Sequence, residues 1–149
     1  MVDVVDSAAR SRMMSGIRSA NTKPELRLRR ALHAKGLRFR LHDRSLPGRP
    51  DIVLPRWRAV IEVRGCFWHR HEGCRFTTSP ATRPEFWEAK FCSNVDRDRR
   101  NATLLGDAGW RVAIVWECAL RANNIDELLA DIVAWLKSDL QDIELPMPT

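Results

Sequence analysis

Cysteine and histidine crowd into one short stretch, and that crowding constrains everything around it. Arg64-Gly65-Cys66-Phe67-Trp68-His69-Arg70-His71-Glu72-Gly73-Cys74 holds two of the four cysteines and two of the four histidines. Cys66, His71 and Cys74 follow the spacing Cys-x4-His-x2-Cys. Zinc takes thiolate and imidazole ligands tetrahedrally, and close spacings let one tight loop supply three of them. Buried free thiols beside surface histidines would use the same residues, but such close packing of ligand types favours a structural zinc. The fourth ligand must come from elsewhere, either Cys118, after a strand-like run, or Cys92, inside a helix-like one. His69 is not needed as a ligand and is left for chemistry. Phe67-Trp68 has two readings: a hydrophobic plug under the loop, or a wedge between base pairs, a use of apolar side chains in proteins that kink DNA.

The reducing compartment implied by the rest of the chain supports metal over disulfides. Residues 1–6 lack the basic and apolar regions of a signal peptide, and no apolar run reaches the 18 or more residues of a membrane span. A cytoplasmic protein is expected, and there cysteines are kept reduced. A chain of 149 residues fits one domain with a real core. Its formal charge is +6, from 25 basic and 19 acidic residues. Such a balance favours a polyanionic partner, and arginine, which dominates it, suits bidentate phosphate contact.

In chain order, residues 7–19 read as a short basic helix with Met14 and Ile17 among its apolar positions and Arg10 and Arg18 among its charges. It either docks on the core or orders on DNA as an arm over residues 1–20. Thr22-Lys23-Pro24-Glu25 opens a second helix that stops near Gly36, with Glu25 either closing a capping box or facing an active-site metal. Residues 37–41 alternate apolar and basic, as a strand does. Asp51 to Leu54 and Arg58 to Val63 form a hairpin around Pro55-Arg56-Trp57. A long helix starts at Pro84-Glu85, carries Trp87 and Asp98, and runs towards Leu105. Residues 111–117 are an apolar strand covered on both faces. Asn123 or Asn124 caps a last amphipathic helix, and residues 138–149 read as a flexible acidic tail.

The hairpin brings Asp51 beside Glu62, a pair of carboxylates suited to Mg2+. Arg64, two residues further on, leaves the same strand face. Phosphodiester hydrolysis needs this set: a carboxylate-bound cation, a base such as His69 for the attacking water, and a positive group for the developing charge.

Longer motifs carry a resemblance. Leu46-Pro47-Gly48-Arg49-Pro50-Asp51, Gly65-Cys66-Phe67-Trp68-His69, Pro80-Ala81-Thr82-Arg83, Glu85-Phe86-Trp87, Asn94-Val95, Arg97-Asp98-Arg99-Arg100, Gly109-Trp110-Arg111-Val112 and Val115-Trp116-Glu117-Cys118-Ala119-Leu120 resemble the very-short-patch repair (Vsr) DNA mismatch endonucleases over roughly residues 5 to 137. The resemblance implies a restriction-endonuclease-like α/β fold, a mixed sheet flanked by helices, with a structural zinc held by Cys66, His71, Cys74 and Cys118. It implies Mg2+-dependent nicking of one DNA strand 5′ to the thymine of a T:G mismatch. Asp51 and the backbone carbonyl of Val63 would hold Mg2+, His69 would act on the water, and Asp98 would support it. Phe67, Trp68 and Trp87 would intercalate from the major groove, and the helix bearing Met14 and Ile17 would enter the minor groove. A monomer acting on double-stranded DNA, with mismatch-repair proteins as natural partners, is expected. Two positions depart from the family pattern: Arg64 stands where a histidine is common, and Glu62 where an apolar residue is usual. Glu62 is therefore expected as a second carboxylate ligand and Arg64 as a cation near the phosphate. The same change leaves a less selective nuclease, or a weakly catalytic zinc-stabilised DNA-binding module, as alternatives.

Overall fold

A computed structural model describes residues 22–121 and 124–147. The basic N-terminal helix, with Arg10, Met14, Ile17 and Arg18, lies outside the described residues. The elements run α1 (Lys23–Ala34), β1 (Arg40–Leu41), β2 (Ile52–Leu54), a 3-10 turn (Pro55–Trp57), β3 (Ala59–Arg64), α2 (Pro84–Asp107), β4 (Arg111–Trp116), α3 (Glu117–Arg121), α4 (Ile125–Leu136) and β5 (Asp142–Leu145).

The five strands form one sheet in the order β1-β2-β3-β4-β5. The first three are antiparallel, and β3, β4 and β5 are parallel. The β2–β3 hairpin turns at Arg58, whose φ of 48° lies in the left-handed region, and pairs Ile52 with Ile61 and Leu54 with Ala59. Strand alternation then sorts side chains to two faces. Ile52, Leu54, Ile61, Ala113 and Val115 pack with Leu28 and Leu32 of α1 and with Leu129, Ile132 and Trp135 of α4. Val53, Val60 and Val112 pack with Leu105 of α2 on the other face. By the same alternation Glu62 and Arg64 share the α2 face with Val60, which is where the cleft described below opens.

Helix α1 starts as expected: Thr22 Oγ1 accepts the Glu25 N–H at 3.3 Å, with Pro24 in the first turn. The Glu25 side chain is buried at 1% exposure, paired with Arg29 and His42. The expected strand over 37–41 shrinks to Arg40–Leu41, because Leu37 and Phe39 pack against the core from a loop instead.

The chain end differs more. The expected flexible tail over 138–149 contains β5, parallel to β4 with Val112 opposite Asp142 and Val115 opposite Leu145. Polar contacts hold it where hydrophobicity does not announce it. Asp142 Oδ1 accepts the Val112 N–H at 3.1 Å, and Gln141 Nε2 donates to the Trp110 carbonyl at 2.7 Å. Leu145 is the strand's one buried residue. The preceding turn is gathered by Arg111, whose guanidinium donates to the carbonyls of Trp135 (2.6 Å), Leu136 (3.0 Å), Ser138 (3.1 Å) and Leu140 (2.9 Å). Its Cζ lies 4.7 Å from the Trp135 ring centroid. One side chain thus caps the last carbonyls of α4 and places β5. Among the described residues no helix is long and apolar enough to cross a membrane.

Replacing Arg111 with Leu strands those carbonyls. Destabilisation of about 2–4 kcal/mol is expected, read as a lower urea midpoint with an unchanged m-value. A loss below about 0.5 kcal/mol would mean that β5 and α4 are held by packing alone.

Candidate active site and metal centre

The Cys-His loop leaves β3 at Arg64 and folds back on itself. The His69 N–H reaches the Gly65 carbonyl at 3.0 Å, and the His71 N–H reaches that of Cys66 at 3.0 Å. Gly73, at φ 73°, turns the chain so that Cys74 returns towards His71. Thr77 Oγ1 donates to the His71 carbonyl at 2.6 Å and closes the loop. One ligand atom from each of Cys66, His71, Cys74 and Cys118 lies within 4.8 Å of the others. Ligands at about 2.3 Å around a tetrahedral zinc would have sulfurs about 3.8 Å apart, so the set fits the ion in number, type and spacing. Burial pushes the Cys66 thiol up to about 12. Between the two fourth-ligand options the structure selects Cys118; Cys92 is exposed on α2.

On the α2 face next to this loop lies a cleft of about 770 Å3. Asp51, Glu62, Val63, Arg64, His69 and Asp98 all line it. Asp51 Oδ2 accepts the Val63 N–H at 2.8 Å, so the carboxylate is fixed to the neighbouring strand. Burial pushes the Asp51 carboxyl up to about 7; the Val63 N–H opposes the rise, the Glu62 charge adds to it, and Arg29 and Arg64 oppose it.

The donors that gather on Asp51 are not the expected pair alone. Glu25, His42 and Asp51 each offer a ligand atom within 4.8 Å of the others. His42 Nε2 stands 3.2 Å from Glu25 Oε2. Burial, then the charges of Arg29 and Arg49, lowers the His42 pKa and favours the neutral ring. Glu62 lines the same cleft but gives its Oε2 to Arg64 at 2.8 Å. Asp51 and Glu62 do share the cleft, and the Glu62 charge acts on Asp51, but Glu25 and His42 also gather on Asp51 while Glu62 is paired with Arg64. Sequence reasoning missed His42. The signal was in the strand before the hairpin: Leu41 pairs with Ile52, and that register sets His42 against Asp51, whose carbonyl accepts the His42 N–H at 3.1 Å.

A second row runs across the cleft. His69 Nδ1 lies 2.7 Å from Asp98 Oδ2, and Arg64 Nε lies 4.0 Å from that same oxygen. With Nδ1 donating to Asp98, His69 Nε2 carries the lone pair. Arg64 Cζ is also 5.9 Å from the Trp116 ring centroid, so two carboxylates and an indole fix the guanidinium. Beside the row, Phe67, Trp68 and Trp87 meet, with centroids 5.0 Å apart for Phe67–Trp68 and 5.8 Å for both pairs with Trp87. Phe91 and Phe86, read in the sequence only as apolar helix positions, join the cluster, 5.2 Å from Phe67 and 5.4 Å from Trp87 respectively.

A family profile, DNA mismatch endonuclease Vsr, matches residues 2–75. The DNA mismatch endonuclease Vsr of Escherichia coli (strain K12) is 50% identical over 133 residues, covering 88% of this chain and 85% of that protein. The chain belongs to the Vsr family of DNA mismatch endonucleases. Type II nicking enzyme V.XorIIP of Xanthomonas oryzae pv. oryzae is 48% identical over 120 residues, 80% of this chain and 88% of the relative. Among solved structures, the catalytic domain of homing endonuclease I-Bth0305I superposes with a TM-score of 0.54 at 21% identity, over 79% of this chain and all of that one. That likeness supports the fold: a mixed α/β endonuclease sheet flanked by helices. The Vsr-family chain is accordingly a DNA endonuclease, a hydrolase of the DNA-repair class, with a Cys/His cluster that could hold zinc and an acidic cluster that could hold a divalent ion.

Two outcomes are expected. Cys118→Ser should lower bound zinc and stability, whereas Cys92→Ser should leave both as in the wild type. Equal zinc content in the two variants, by atomic emission, would remove Cys118 from the ligand set. The second concerns Asp51, whose carboxyl is raised in the folded state. The metal-free protein should therefore lose stability as pH climbs from about 4 to about 7, because only the unfolded chain ionises freely there. Above pH 7 metal-free Asp51→Asn should be more stable than wild type by about 1–3 kcal/mol. Mg2+ should close that gap by stabilising the wild type alone. Urea titrations at pH 5 and 8, with and without Mg2+, read both effects; an Asn variant that is weaker at both pH values would contradict the assignment.

Proposed function

We propose that this chain nicks one strand of double-stranded DNA 5′ to the thymine of a T:G mismatch, such as arises when 5-methylcytosine deaminates, by Mg2+-dependent hydrolysis. The observation that carries the chemistry is the His69–Asp98 pair, 2.7 Å apart, on the cleft that also exposes Asp51. Asp51 and the carbonyl of Val63 would hold Mg2+, with Glu25 and His42 as further donors on the Asp51 side. Bound there, the ion supplies charge neutralisation on the phosphate and a more acidic water. His69 Nε2 takes the proton of the attacking water while Asp98 holds the ring through Nδ1 and stabilises its charged form. Arg64, fixed by Glu62 and Asp98, offers a preorganised positive charge to the phosphate oxygens as their charge grows. Phe67, Trp68 and Trp87 form the wedge that opens the stack beside the mismatch, and a kinked, unstacked site is easier to make at a mispair than at a paired step. Arg10, Arg18, Met14 and Ile17 are proposed to extend the contact into the minor groove. The enzyme would act as a monomer in the cytoplasm, with mismatch-repair proteins following it.

A less selective nuclease is the second reading. The Glu62–Arg64 ion pair favours it, since it sets a permanent cation where the family commonly has a histidine. The T:G duplex and its T:A control, end-labelled on the thymine strand and incubated with and without Mg2+, separate the readings. Mg2+-dependent nicking of T:G alone is expected; equal cutting of both duplexes would establish the second reading. His69→Ala should cost about 100- to 10,000-fold in single-turnover rate while leaving duplex binding near wild type. Asp98→Asn should lower the rate by less.

A further inference from the structure

We propose that Arg70 is a positioning residue for the aromatic wedge: its guanidinium sets the Phe67–Trp68 backbone against α2 so that the rings are held ready to enter the base stack. The proposal rests on the wedge reading given above. Arg70 lies in the metal loop at φ 56°, a left-handed conformation that costs a non-glycine residue energy. Something must offset that cost, and the side chain makes the contacts that do. Nη1 donates to the Thr78 carbonyl at 2.8 Å and, at a longer 3.4 Å, to the carbonyl of Phe67 itself. Nη2 donates to Ser79 Oγ at 3.1 Å. Its Cζ lies 4.0 Å from the Phe91 ring centroid and 5.8 Å from that of Phe67.

These contacts join three pieces of chain. The fork ties the wedge to residues 78–79, which lead out of the metal loop. The planar face ties both to α2, where Trp87 and Phe91 stack at 5.7 Å one turn apart. Asn94 on the same helix donates to the Trp68 carbonyl at 3.0 Å, so successive wedge carbonyls are each gripped by a side chain. A wedge must not relax onto its own protein when it meets DNA, and ordering it in advance removes a cost that binding would otherwise carry. Arginine suits this role because one group can fork and stack at once; lysine, a point charge on a flexible stem, can only do part of it. The obvious alternative is that Arg70 contacts a phosphate. Its fork and its face are directed within the protein, which favours positioning.

The test uses the full-length, zinc-loaded protein and a T:G duplex, in a flanking context that the wild type nicks, with 2-aminopurine beside the mismatch. Unstacking by the wedge raises 2-aminopurine fluorescence at saturating protein. Arg70→Ala should lower that signal and raise KM on the T:G duplex about tenfold, with kcat moving less. Affinity for the T:A duplex should stay within about twofold, and the salt slope of binding should be unchanged, whereas loss of a phosphate contact would weaken both duplexes and reduce the slope by about one. Arg70→Lys should remain defective in the fluorescence signal. It also decides the matter should Arg70→Ala lose zinc or fail to fold. A wild-type signal and KM in Arg70→Lys, or a parallel loss on T:G and T:A, would overturn the proposal. Trp68→Ala separates this from the reading beneath it. If Trp68→Ala keeps the full signal, the wedge itself is wrong. If it loses the signal while the Arg70 variants keep theirs, only the role of Arg70 is wrong.

Discussion

The parallel pairing of β3 with β4 is the constraint from which the site follows. Its last register pair is Arg64 with Trp116. Cys66 and Cys118 each lie two residues beyond that pair, so the two strands deliver their thiols to the same end of the sheet together. The loop between Cys66 and Cys74 then closes over that end, and His71 stacks on Trp116 at 4.3 Å, nearly parallel. The same indole lies under the Arg64 guanidinium. One aromatic residue at a strand end thus touches both the ligand cluster and the cleft cation. His69 faces Asp98 from a loop that springs from the end of β3 and is closed on itself by the His71 and Thr77 hydrogen bonds.

Much of this was legible because it rests on short-range pattern. The Cys-x4-His-x2-Cys spacing, the Pro55-Arg56-Trp57 turn and the long α2 helix each follow from residues close in sequence. The choice between Cys118 and Cys92 was not local. It needed the knowledge that β4 runs parallel to β3, which no feature of either strand alone declares. His42 was hidden for a related reason. Its strand is two residues long, and only the antiparallel register against β2 brings it to Asp51. β5 was hidden differently. Its sequence is acidic and half exposed, and its place depends on Arg111, Asp142 and Gln141 making specific polar contacts. Hydrophobic periodicity carries no record of such contacts.

Charge accounting sets Asp51 apart from the other acids around the cleft. Glu25 pairs with Arg29, Glu62 with Arg64, and Asp98 with His69 and Arg64. Among the described residues Asp51 makes no ion pair; its fixed partner is the neutral Val63 N–H. It is also desolvated enough that its carboxyl is pushed up to about 7. The Arg29 and Arg64 charges offset that desolvation only in part, and a proton or a metal ion would relieve the rest. A divalent ion held there would compete with that proton near neutral pH.

The arginine at position 64, where the resemblance led one to expect a histidine, reads differently in this light. A guanidinium cannot give up its proton near neutral pH, so Arg64 can stabilise charge but cannot shuttle protons. Left unpaired beside Asp51, such a permanent cation would oppose a divalent ion. Glu62 answers that: it sits two residues away on the same strand face and takes the guanidinium at 2.8 Å. The Glu62–Arg64 pair contributes no net charge, yet it keeps a guanidinium fixed on the cleft wall. The two departures from the family pattern are therefore one change. The arginine at 64 and the carboxylate at 62 are joined in one ion pair, and in the proposed reaction proton transfer would rest on His69.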